Sequence, residues 1–261
     1  MKIIPVVVLI AIWFLLAAIV GSTWLPSPTV ILMNLWQSVL SDPIIHREGG
    51  GSYGFSVHVA ATFLRTLFSL IAGCSLGLLV ALLGWRPGQV GSLLNIAVET
   101  IRVLPPLILI PFFLVIFRSG ENGILLGVLC YCTMNFAFYW LSAFRSIPAS
   151  FCDRASVCKV TLVGFWRAVL LPYSFPQVLS GIKVTVSLTL GVVVVGEYIG
   201  ASHGLGRVLK YAVSYSSATM IITCIIWAIL LCASIEFSIR MLSGSRRGIA
   251  SNLSESFSAD K

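Results

Sequence analysis

Charge is scarce in this chain. Asp, Glu, Lys and Arg make up only 10% of its 261 residues, while hydrophobic residues make up 58%. A soluble domain carries about 25% charged residues, so this balance places the chain among membrane proteins. The net charge of +8 does not point to nucleic acid, because the basic residues are scattered among apolar runs with no stripe interleaved with aromatics. Metal and redox signatures are also missing. The seven cysteines include no C-x-x-C pair, and His46, His58 and His203 stand at no metal-ligand spacing to them. Cys74, Cys130, Cys132, Cys224 and Cys232 lie in apolar runs and read as small buried hydrophobes. A Walker A loop needs G-x-x-x-x-G-K-[ST], whereas Gly206 is followed by Arg207 and Val208. Gly200, Gly204 and Gly206 therefore read as places where the backbone turns sharply at the outer membrane face. No His/Asp/Ser or metal constellation in the apolar runs suggests an intramembrane enzyme.

What the chain does have is long apolar runs. Six candidate spans are Ile3–Val20, Leu64–Trp85, Val103–Phe117, Ile124–Phe144, Gln177–Gly196 and Thr219–Met241, set against the roughly 20 residues that cross a bilayer. The first exceeds the roughly 7–15 residues of a signal-peptide apolar region and reads as a retained anchor. The third contains Pro105, Pro106 and Pro111. Prolines survive in membrane helices packed inside a bundle, so a kinked helix is expected there. Between the first two spans, Ser27-Pro28 is a helix start. Ile31, Leu35 and Val39, with Leu32, Trp36 and Leu40, then form an apolar face suited to the outer membrane surface. Residues 242–261 are polar and serine-rich, expected as a loosely ordered cytoplasmic tail after a membrane domain of residues 1–241.

Basic residues orient the chain. With the N-terminus inside, Lys2, Arg86, Arg102, Arg145, Arg154, Lys159, Arg167, Arg240, Arg246 and Arg247 fall on inner segments, against Arg47, Arg65, Arg118, Arg207 and Lys210 on outer ones. The excess puts both termini in the cytoplasm. Three charges fall within or at the edges of spans, where insertion costs about 2.5–3.5 kcal/mol at the bilayer centre. Lys183 is close enough to an inner end to snorkel. Glu236 has Arg240 at i+4, the spacing of a helix ion pair. Glu197 stands between LGVVVVG and YIGASHGLG. It reads as a pathway or gate residue, or as an acceptor for loop amides.

One segment breaks the apolar pattern. CDRASVCKVTLVGFWRAVLLPYSFP, residues 152–176, carries Asp153, Arg154, Lys159 and Arg167 and closes on Pro172 and Pro176. Within a cytoplasmic loop of about residues 145–176, a helix over Cys152–Trp166 is expected, with a bend near Lys159. Asp153 would lie near its start to complement the dipole, and the helix would end before Leu171 because Pro172 lacks an amide donor. Pro176 would sit in the first turn of the following span.

With its flanks, this segment resembles the cytoplasmic coupling loop of ABC-importer permeases. Asp153-Arg154-Ala155 stand at the Glu-Ala-Ala positions of that loop, Val169, Leu171 and Pro172 match its closing V-x-L-P, and Pro176 and Gly181 match the residues just beyond it. Lys159 stands where the family has glycine, and Arg154 where it has alanine. LPSP at Leu25–Pro28, TFLRTL at Thr62–Leu67, IRVLPPLILIP at Ile101–Pro111 and VVGEYIGASHGLG at Val194–Gly206 resemble the nitrate, sulfonate and taurine permeases, a group that includes pyrimidine-precursor transporters.

The resemblance implies an all-α membrane protein of six transmembrane helices with the type I ABC-importer permease fold, in the bacterial cytoplasmic membrane. It implies a transport subunit with no ATPase site and no cofactor of its own, ATP being bound by partner ATPase subunits. An extracytoplasmic solute-binding protein and a second permease copy, most simply a homodimer, are the other implied partners. Asp153, Arg154, Ala155, Lys159 and Pro172 would couple to the ATPase, and Glu197, Gly204 and Gly206 would belong to the translocation path or gate. A proton-coupled secondary transporter using Glu197 or Glu236 is the competing class.

Overall fold

The computed structural model describes residues 3–47, 53–85, 88–118 and 120–259. Along them run α1 (Ile3–Val20), α2 (Pro28–Gln37), α3 (Pro43–Arg47), α4 (Phe55–Gly84), α5 (Gln89–Val103), α6 (Pro106–Phe117) and α7 (Gly120–Arg145). They continue as α8 (Ala149–Val157), α9 (Leu162–Phe165), a π-helical turn (Trp166–Leu170), α10 (Leu171–Gly200), α11 (Leu205–Ser214) and α12 (Ala218–Ala259). Among the described residues there is no strand. An all-helical outcome follows from composition, since helices satisfy their own backbone groups within lipid.

Four helical stretches are long and apolar enough to span a bilayer: Phe55–Gly84, Gly120–Arg145, Val163–Gly200 and Ala218–Met241. A fifth crossing is available if α5 and α6, bent by 101° at their junction, act as one broken span. This revises the expected third span. Instead of a kinked rod over Val103–Phe117, the chain breaks at Leu104-Pro105 and folds into two helices. Proline disfavours helical geometry in the residue before it, and Leu104 is extended at ψ 131. In α1 the apolar helix Val7–Val20 is shorter than the other spans, so the six-crossing count rests on α1 and the bent pair.

The chain divides into two compact units. One comprises Met1–Arg65, Ile110–Leu125 and Leu190–Leu231; the other comprises Thr66–Leu109, Leu126–Thr189 and Cys232–Lys261. In the first, α2 begins at Pro28 with Ser27 as its N-cap, as expected. Its Ile31 is buried, while Leu32 and Trp36 stay exposed. Asn34 accepts a hydrogen bond from the Thr223 hydroxyl at 3.1 Å, tying α2 to α12.

In the second unit, small residues set the helix contacts, as is usual where lipid removes the hydrophobic drive for association. Gly77 of α4 lies against Phe136 and Ala137 of α7, and Gly181 of α10 lies against the Tyr139 ring. Cys132 is buried beside the Thr189 hydroxyl at 3.3 Å. Glu236 and Arg240 form the anticipated i,i+4 pair at 3.5 Å. The α12 backbone runs on to Ala259, through a sequence with no proline to interrupt its ladder.

Candidate functional site

Two groups of sequence-selected residues come together, one in each unit.

The first is built around Glu197, near the C-terminal end of α10. Its carboxylate is fully buried, which demands partners. They come from three directions. On α4, His58, Thr62 and Arg65 share one face by their i, i+4, i+7 spacing. Arg65 donates through Nη1 to Glu197 Oε1 at 2.7 Å, and the Thr62 hydroxyl lies 2.8 Å from Oε2. From the loop after α10, the Gly206 amide donates to Oε2 at 3.1 Å. Arg65 also donates to the His203 carbonyl at 2.8 Å and, through Nη2, to Glu121 in the first turn of α7. Glu121 Oε1 in turn accepts from the Ser202 hydroxyl at 2.8 Å. One guanidinium thus bridges two carboxylates, one buried and one 44% exposed.

The glycines explain how the loop comes so close. Gly204 has φ +130, a conformation L side chains rarely adopt, and a Cβ there would run into the Glu197 carboxyl group. A Cβ at Gly206 would strike the Val194 carbonyl and approach the Tyr198 amide to 2.6 Å. The loop amides are used: Gly204 N–H donates to His58 Nδ1 at 3.0 Å and Leu205 N–H to Thr62 Oγ1 at 2.8 Å. The loop therefore folds back onto Glu197, and Gly204 becomes the N-cap of α11. This amphipathic helix, with Leu205, Val208, Tyr211 and Ala212 buried, was not anticipated from sequence. Nor were Arg65, Thr62 and Glu121 as partners of Glu197. Chemically the cluster is a multi-bonded tie among α4, α7, α10 and the α10–α11 loop.

The second group is the charged segment. Asp153, Arg154 and Ala155 lie on α8, which starts directly after Pro148 and is shorter than the expected helix. Because it begins at Ala149, Asp153 falls outside the first turn and does not complement the helix dipole there. Arg154 lies in the last turn instead, the favourable end for a cation. The bend near Lys159 is present and has a defined chemistry. Lys159 is left-handed at φ 52, and the Val160 amide reaches back to the Ala155 carbonyl at 3.0 Å. That is a Schellman C-cap with Lys159 at the position glycine favours. Asp153, Arg154 and Lys159 are exposed and Ala155 is half-buried.

Two expectations about the prolines are overturned. The helix does not stop before Leu171: α9 passes through the π turn directly into α10, with the Leu171 amide donating to the Trp166 carbonyl. Pro172 is the second residue of α10, and Pro176 lies inside that helix rather than at its start. A π turn shifts the hydrogen-bond ladder by one residue, and a proline can occupy the step where a carbonyl goes unmatched.

Comparison with known proteins gives one consistent result. Residues 73–248 match the family described as the binding-protein-dependent transport system inner membrane component. The nitrate import permease protein NrtB of Synechococcus elongatus is 23% identical over 199 residues, covering 76% of this chain and 71% of that protein. The taurine transport system permease protein TauC of Escherichia coli is 22% identical over 237 residues, covering 90% and 84%. Among solved structures, a chain of the inward-facing MetNI methionine ABC transporter aligns with a TM-score of 0.62 at 24% identity, covering 72% of this chain and 94% of that one. A chain of an amino acid ABC transporter aligns with a TM-score of 0.60 at 15% identity, covering 82% and 95%.

Proposed function

Because the chain belongs to the family of binding-protein-dependent transport system inner membrane components, we propose that it is the permease subunit of an ATP-driven importer, carrying a small solute of the nitrate, sulfonate or taurine kind or a pyrimidine precursor. It works as a pair of copies, takes solute from an extracytoplasmic binding protein and is driven by separate ATPase subunits. Both termini face the cytoplasm, so α8 projects to the side on which ATP is available.

The observation that carries this reading is the exposed helix α8 with its Schellman cap. Asp153 and Arg154 offer charge for docking, where an unmatched charge is costly. From α9 the chain runs through the π turn into α10 without a helical break, and Glu197 lies near the far end of that helix. Asp153, Arg154, Ala155, Lys159 and Pro172 are the coupling residues in this scheme. Glu197 and the two glycines form the outer gate, held shut by Arg65 and Thr62.

The decisive experiment reverses the charge at Asp153 in the assembled transporter. Asp153→Lys should lose both ATPase copurification and ATP-driven uptake at matched permease levels, with Asp153→Glu tolerated. Normal copurification and uptake by Asp153→Lys would remove Asp153 from the coupling contact. Proton-driven uptake by the purified chain alone, without an ATPase, would overturn the importer reading.

A further inference from the structure

The helix α5 does not run with the spans around it. Its axis turns by 101° from that of α6, and its side chains reach the ends of two other helices. The Asn95 side-chain amide donates to the carbonyl of Gly84, the last residue of α4, at 3.0 Å. Gly84 itself lies beside the Leu141 side chain of α7. Glu99 pairs with Arg145, the last residue of α7, at 3.4 Å. The Arg102 guanidinium lies over the Phe138 ring of α7 at 3.7 Å.

These contacts give α5 a direction. From Asn95 to Arg102 the helix advances about 10 Å at 1.5 Å per residue. The levels it meets on α7 are those of Leu141, Arg145 and Phe138 in turn, which do not climb that helix in order. The first and last differ by only about 4–5 Å. A helix upright beside α7 would keep pace with it, so α5 crosses α7 instead, close to the end that bears Arg145. The sides of α5 agree with that course. Gly91 and Val98 are buried. Ser92 and Glu99, two turns apart, are exposed on one edge. Round from that edge the exposed face carries Val103, Ile96, Leu93 and Val90, with Gln89 and Thr100 among them. Upright among the spans, the helix would hold Ser92 and Glu99 against lipid, where a charge is costly.

We propose that α5 lies along the membrane surface on the side of Arg145 and α8, with Val90, Leu93 and Ile96 in the acyl boundary of that leaflet and Ser92 and Glu99 facing water. A helix apolar on one edge and polar on the other sinks about 5–10 Å into that boundary. The partner surface is lipid, because the exposed apolar face continues past Leu104 to Leu107 and Ile108 of α6. The lengths fit as well. With α5 seated at that depth, about 20–25 Å of a 30 Å hydrocarbon core remains to be crossed. The helix α6 supplies about 18 Å and the extended Leu104-Pro105 link about 6 Å. In the orientation proposed above this leaflet is the cytoplasmic one, and in that respect alone the inference rests on the importer-permease reading.

The test measures depth. In the full transporter, with native cysteines replaced and ATP-driven uptake retained, a nitroxide-labelled cysteine is placed singly at Ser92, Leu93 and Thr100. Power saturation in liposomes is read against oxygen, which enters lipid, and against a water-soluble nickel chelate. Leu93 and Thr100 share a face and stand about 10 Å apart along α5. Their depths should agree within about 5 Å, with Leu93 favouring oxygen and Ser92 favouring nickel. Should a label there abolish uptake, Val90 and Ala97, spaced alike along the same side, carry the comparison. Depths about 10 Å apart would show an upright helix and overturn the proposal. A Leu93 label that neither reagent reaches would also overturn it, by showing protein such as a second copy over the face. So would a Leu93 label as open to nickel as Ser92, which marks a face in water. None of these outcomes touches the importer reading, which stands or falls on ATP-driven uptake and ATPase copurification in the same preparation.

Discussion

Arg65 holds two carboxylates, and the structure predicts that they are worth different amounts. Glu197 is fully buried and its partner Arg65 is only 15% exposed, so removing the Glu197 charge breaks a buried pair. That class of change costs about 3–5 kcal/mol when a charge is left uncompensated. Here the guanidinium keeps Glu121 and the His203 carbonyl, and glutamine retains an oxygen for the Gly206 amide. The expected cost of Glu197→Gln is therefore below that range, about 2–3 kcal/mol. Glu121 is 44% exposed, and Glu121→Gln should cost under about 1 kcal/mol. At about 2–4 °C per kcal/mol for a chain of this size, the midpoints of thermal unfolding should fall by about 4–12 °C and by no more than about 4 °C. Both can be read on the purified complex, alongside ATP-driven uptake normalised to folded protein. Arg65→Gln combined with Glu197→Gln should cost less than the sum of the two, because the pair is lost once. If Glu197→Gln is no more destabilising than Glu121→Gln, the buried tie is not holding this end of the protein. If stability falls but normalised uptake is unchanged, Glu197 is structural and the gate proposal fails.

Gly204→Ala must place a methyl group where the Glu197 carboxyl lies, at φ +130. It should lower the unfolding midpoint at least as far as Glu197→Gln, while Gly191→Ala, which meets nothing within 4 Å, should be neutral or better. At Lys159 the backbone is left-handed, a conformation costing an L-residue about 1–2 kcal/mol. Lys159→Gly should therefore raise the midpoint by about 2–8 °C, and a lowered midpoint would mean that the lysine side chain holds the cap. For orientation, a cysteine replacing Trp24, which is 79% exposed, should be labelled in intact cells. One replacing Val157, which is 81% exposed, should be labelled only after permeabilisation. The reverse pattern would place α8 on the wrong side for coupling.

The residues that were legible are those whose constraint is local. Ser27-Pro28 starts α2 because a proline at the first helical position loses nothing. Glu236 and Arg240 pair because helical geometry alone brings i and i+4 together. Glu197 could be singled out as a charge without lipid-compatible surroundings, but its partners lie 132 and 135 residues earlier in the chain, and no local rule joins them. The one available signal was the His58-Thr62-Arg65 spacing, which places three polar side chains on a single face of α4. The helices α5 and α11 were hidden for a different reason. Each is amphipathic and short, so neither stood out as a candidate span.

The charged segment shows how a sound local rule can give the wrong boundary. Proline denies an α-helix one donor and crowds the carbonyl of the preceding turn, which makes Pro172 a reasonable stop signal. The chain widens its turn just before the proline instead. Across Trp166–Leu170 the hydrogen bonds reach one residue further, as the Leu171 amide does to the Trp166 carbonyl. Where the π turn gives way to α10 the ladder changes step, and one carbonyl loses its amide whether or not a proline is present. Pro172 stands right after that step and offers no amide of its own, yet the helix continues from α9 to Gly200. Had the proline ended the helix, α9 would connect to α10 through a non-helical joint. A helix that widens instead of stopping keeps α9 and α10 one continuous element.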